Sequence, residues 1–100
     1  MRPTLGEWIA SREPAPPPAL TRRMKEAIDS LGDDGGSTRF DSLITAATRI
    51  LRTLPDDRGA ALALLAADAL ITYAFESAAE ECDALSARAD DAIRRIASLT

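Results

Sequence analysis

The chain has 100 residues and a net charge of −4, from sixteen acidic side chains against twelve basic ones, with no histidine and one cysteine, Cys82. That length fits one domain around one core, and the acidic balance opposes close approach to phosphate backbones and anionic lipid. Without histidine the commonest general base and metal ligand is missing, and a single cysteine builds neither a disulfide framework nor a zinc cluster.

Alanine and leucine dominate the apolar residues, and valine is absent. Both lose little freedom in a helix, whereas sheets favour branched and aromatic side chains. The expected fold is all-α: a small helical bundle with a short N-terminal helix, two medium helices and one long C-terminal helix. Residues 1–18 are expected to form an N-terminal helical arm with a Pro-rich tether, and residues 19–100 the helical domain. The excess of arginine over lysine, with the high alanine content, is associated with GC-rich bacterial genomes. No apolar run of signal-peptide length precedes Glu7 and Arg12. The longest apolar stretch, residues 59–67, stops at Asp68, short of a bilayer span. Cytoplasmic residence is therefore expected, with neither membrane nor nucleic acid as a partner.

In chain order, Thr4 followed by Glu7 reads as a capping box that opens a short helix over residues 5–12. Two turns are unstable alone in water, so this arm must dock. Leu5, Trp8 and Ile9 share one side of it. They are candidates for insertion into a partner's groove, although a large aromatic more often folds back over its own core. Pro14, Pro16, Pro17 and Pro18 favour an extended tether. A second helix is expected from Pro18 or Ala19 to Leu31, ended by Gly32, with Leu20, Met24, Ala27, Ile28 and Leu31 on one stripe. Asp33 to Gly36 reads as a loop. A third helix starts at Ser37 or Thr38, carries the stripe Phe40, Leu43, Ile44, Ala47, Leu51 and Leu54, and stops at Pro55, after which Asp56 is the expected cap.

From Gly59 onward there is no further glycine, proline or asparagine. One long helix over residues 57–99 is expected, with a kink near Glu80 to Asp83 as the alternative. Its upstream half is apolar on two sides, Leu62, Leu65, Ala69 and Tyr73 on one and Leu64, Ile71 and Phe75 on the other, as in a buried core helix. Ile71, Phe75, Ala78, Cys82, Leu85, Ala89, Ala92, Ile96 and Leu99 recur in alternating steps of four and three. That is a heptad seam. A helix spanning about 60 Å does not fit a compact domain of radius of gyration near 13 Å. Either it folds back near Glu80, or its end projects and is covered by another chain, and the unbroken register favours projection. Ile71, Phe75, Ala78, Leu85, Ala89, Ile96 and Leu99 are thus the expected interface of a homodimer. Antiparallel pairing would bring Arg88, Arg94 and Arg95 towards Glu80, Glu81, Asp90 and Asp91.

Candidates for chemistry are few. Asp68, Thr72, Glu76 and Glu80 share one helix face, so Asp68, Glu76 and Glu80 are weak candidates to hold a hard divalent cation. A solvated acidic stripe is the more ordinary reading of such a row. Cys82 lies beside Glu80, Glu81 and Asp83, which favours a small packed thiol over a reactive one. Arg22, Arg23, Lys25, Arg49, Arg52 and Arg58 form a basic set, more simply used against the acids than on DNA. No nucleophile with an activating base can be pointed to. The function expected is a non-enzymatic helical protein–protein interaction module without cofactor. The alternative is a small metal- or ligand-binding protein using the acidic row or a pocket beside Tyr73.

Overall fold

The structure, a computed structural model, describes residues 4–32 and 38–99. Among them the chain forms four helices and no strand: α1 (Leu5–Ala10), α2 (Pro18–Asp29), α3 (Arg39–Arg52) and α4 (Gly59–Ala97). The loop expected at Asp33 to Gly36, and Ser37, lie outside the described residues.

Local chemistry sets the boundaries. The Glu7 and Asp41 backbone N–H groups donate to the Thr4 and Thr38 hydroxyls, each at 3.1 Å, opening α1 and α3. Pro18 takes the first position of α2, where its missing N–H costs nothing. Beyond the end of α2, Gly32 has φ +66°, a conformation that side chains with a Cβ resist. At the start of α4 the cap differs from expectation. The Asp57 carboxylate, rather than Asp56, accepts the Gly59 N–H at 2.8 Å.

The core joins all four helices. Trp8 and Ile9 of α1, Met24 and Ala27 of α2, and Leu43, Ala46, Ala47 and Ile50 of α3 pack against Ala63, Ala66, Ala67, Leu70 and Ala74 of α4. The most extensive contact is α3 on α4. Alanines line this contact on both helices, and small side chains permit close helix approach. The arm and the helical domain therefore share one core.

The inward faces of α3 and α4 depart from the sequence pattern. On α3, Ile50 is buried, while Leu51 and Leu54 are left exposed. On α4 the inward face runs through Ala63, Ala66, Ala67, Leu70, Ala74 and Ser77, one residue behind the seam of Ile71, Phe75 and Ala78. One residue is about 100° of helix rotation, so the seam starts roughly a quarter-turn or more from the core. The upstream half of α4 is also not covered all round: Leu64 and Leu65 are about half exposed, because α2 and α3 line only one side.

No break occurs at Glu80 to Asp83. Helix α4 is continuous over 39 residues, and every described residue from Glu80 onward is exposed. The molecule accordingly measures 67 × 29 × 21 Å with a radius of gyration of 17.2 Å, against the ~13 Å typical of a compact chain of this size. We refer to α1–α3 with residues 59–79 of α4 as the head, and to residues 80–97 as the projecting half.

Two substitutions separate apolar packing from mere burial on the inward face of α4. Leu70 is fully buried, so Leu70→Ala should cost about 2–5 kcal/mol in urea unfolding. Ser77 is as deeply buried, yet its hydroxyl finds no hydrogen-bond partner among the described residues. Ser77→Ala removes a desolvated polar group and should leave stability unchanged or raise it by about 1 kcal/mol.

Candidate functional site

Two features stand out on α4: a latch that ties α1 to it at Glu80, and the uncovered seam that begins beside that latch.

The latch is centred on Trp8, which is 5% exposed. Its ring meets Tyr73 edge-on, with centroids 6.2 Å apart. The Arg12 and Arg39 guanidinium carbons lie 4.1 and 4.7 Å from the Trp8 ring centroid, close enough for cation–π attraction. The indole Nε1 donates to Glu80 Oε2 at 3.1 Å. Arg12 Nη1 donates to Glu80 Oε1, and Arg39 Nη1 lies 3.9 Å from Glu80 Oε2. The Arg12 hydrogen bond is the main reason that the Glu80 carboxyl is held below its ordinary value of 4.5. Burial is the first cause that raises the Tyr73 phenol, with the Glu76 charge adding to it.

This geometry reassigns several residues. Leu5, Trp8 and Ile9, read as candidates for a partner's groove, are used within the chain. Trp8 and Ile9 are buried in the core and Leu5 packs against it. Of the acidic row, Glu80 is engaged by Arg12, Arg39 and Trp8, and Glu76 lies 3.9 Å from Arg12. Asp68 is exposed, three turns away on the same helix. Among the described residues no group of three potential ligands stands close enough to hold a metal ion. Tyr73, proposed beside a pocket, is packed on Trp8. Arg23, Arg49 and Arg52 of the basic set do converge, around a depression of about 380 Å³ between the ends of α2 and α3 that also includes Glu26. There Arg49 donates to the Ser30 carbonyl at the end of α2, a capping role. Sequence reasoning missed Arg12 and Arg39. The only hint was the four-residue spacing from Trp8 to Arg12, together with the acids waiting on α4.

The seam is the second feature. Ile71 and Ala78 are partly buried at the edge of the head. Phe75 stacks edge-on against Phe40, centroids 5.5 Å apart, and is still 62% exposed. Leu85, Ile96 and Leu99 are 62%, 67% and 85% exposed, and Ala89, Ala92 and Cys82 are exposed too. Cys82, expected to be a packed thiol, is instead exposed. The accessible surface is 7173 Å², roughly 1,700 Å² more than a compact monomer of 10.7 kDa would expose. By length and composition α4 also qualifies as a membrane span, with a mean hydropathy of 1.4 in its most apolar window.

Comparison with known protein families, curated proteins and solved structures gives no match, so function rests on this geometry alone.

The latch makes two predictions. Trp8→Ala should cost about 3–5 kcal/mol, as for other large buried aromatics, read as a fall in the urea midpoint. The pH dependence follows from Glu80. Its carboxyl is held down in the folded chain, so the ionised form stabilises the head above pH 4.5, and that contribution is lost as acid protonates it. Glu80→Gln should therefore melt lower than the wild type at pH 7, by the equivalent of about 0.5–1 kcal/mol for a half-exposed network. The gap between the two melting curves should close as the pH is taken below the folded pKa of Glu80.

Proposed function

We propose that the protein is a non-enzymatic interaction module: a packed helical head that displays the projecting half of α4 as a docking helix for another helix. The single observation behind this reading is that the exposed half of α4 keeps an unbroken apolar seam. Charged faces alone would keep such an extension soluble. A contiguous apolar strip on a monomer marks an interaction site.

The head gives the projection its shape. In an isolated helix the first turn is costly to nucleate. Here the first turns are already fixed by the core, and the rest of the helix only propagates from them. The docking helix is thus partly ordered before a partner arrives, which lowers the ordering cost of binding.

An aqueous setting fits better than a membrane. The most apolar part of α4 uses one face for the head's core and carries Asp68, Thr72 and Glu76 elsewhere. Each acid at mid-bilayer would cost about 2.5–3.5 kcal/mol. One exposed free thiol, Cys82, suits a reducing compartment such as the cytoplasm.

The double variant Leu85→Asp/Ile96→Asp tests the reading. At high dilution its unfolding, followed by Trp8 fluorescence, should keep the wild-type midpoint, because neither side chain packs on the head. A loss comparable with that of Leu70→Ala would show the seam to be part of the chain's own core and overturn the proposal.

A further inference from the structure

Resting on that reading, we infer that the occupant of the seam is a second copy of this chain, laid antiparallel in one register, with Leu85 of each copy facing Ala89 of the other.

The seam complements itself when reversed. With Leu85 opposite Ala89, Cys82 falls opposite Ala92, Ala78 opposite Ile96 and Phe75 opposite Leu99. Every seam residue from Phe75 to Leu99 finds a seam residue, since the alternating steps of four and three read the same in both directions about that centre. Large residues meet small ones at Leu85 and Ile96. In a parallel pair Ala89 and Ala92 would each face their own copies, leaving two adjacent thin layers.

Charge selects the same direction. The residues flanking the seam on one side are Glu81, Arg88 and Arg95, and on the other Ala79, Ser86 and Ile93. In the antiparallel register Glu81 lies beside Arg95 of the second copy, twice by symmetry. A parallel pair sets Glu81 beside Ser86 and Arg88 beside Ile93, and brings acidic cluster onto acidic cluster. Like charges meet at the two-fold axis, Arg88 with Arg88, where Asp91 stands one turn along from each, and Asp83 comes level with Asp90 and Asp91 of the second copy. Among the described residues Arg95 pairs with exposed Asp91, at 2.9 Å, an interaction weak enough to share.

The surface is sufficient. A stable interface removes about 800 Å² from each partner, and the chain exposes about twice that in excess of a compact monomer. The Phe40–Phe75 pair provides a floor on each head where Leu99 of the other copy lands.

Sedimentation of the full wild-type chain over the micromolar range should give twice the chain mass, and the Leu85→Asp/Ile96→Asp variant the single mass. The register is read by mild diamide oxidation. Ala92→Cys places a new thiol opposite the native Cys82 of the other copy and should yield a covalent dimer on a non-reducing gel. The wild type should not, because its two Cys82 residues stand about 15 Å apart along the axis, beyond the ~7 Å Cα limit for a disulfide. Rapid wild-type cross-linking through Cys82 would overturn the antiparallel register. A wild-type chain that stays monomeric throughout would overturn the second copy as occupant. The docking-helix reading itself fails only if the aspartate variant loses its head stability at high dilution.

Discussion

The structure depends on a mismatch of length. Helix α3 has 14 residues and α4 has 39, or about 21 Å against 58 Å. A helix covers no more of its neighbour than its own length, so α3 buries the face of α4 from about Ala63 to Ser77, and its first residue, Arg39, reaches Glu80. Trp8 of the six-residue α1 also reaches Glu80, and with the 12-residue α2 in place every described residue from Glu80 onward is still exposed. The compact head, the elongated outline and the uncovered seam are all consequences of this one inequality.

At the end of the covered stretch stands Glu80, where the shortest helix is held by the largest side chain. Six residues contribute almost no helical stability of their own. Most of what holds α1 in place comes from burying Trp8 and Ile9. The two guanidinium groups around the indole, and the carboxylate that receives its N–H, are worth less but fix direction. The arginines flank the Trp8 ring, and they give Glu76 and Glu80 of the acidic row cationic neighbours.

The sequence made the helices and most of their caps legible, because Thr4, Thr38, Pro18 and Gly32 act through local chemistry alone. Helix phase was less legible. Pattern reading assigns the inward face to the bulkiest apolar residues, Ile71, Phe75 and Leu51. At the α3–α4 contact, however, the small residues Ala63, Ala66, Ala74 and Ala46 also turn inward, beside the expected Ala47. Alanine is too common in a helix for its spacing to announce this. The projection of α4 was readable from its unbroken register, whereas the Arg12–Trp8–Glu80 contact joins residues 72 and 68 positions apart that no local rule connects.

Because one continuous helix crosses from the head into the projecting half, the direction of the seam is geared to the head. Each residue added to α4 between Ser77 and Leu85 would swing the seam by about 100° around the helix axis, while seven added residues would return it to within about 20° and carry it some 10 Å farther out. Tolerance of insertions along this stretch should therefore be periodic rather than graded. The head behaves as a compass housing, and the number of residues in the shaft sets the bearing at which a second helix is met.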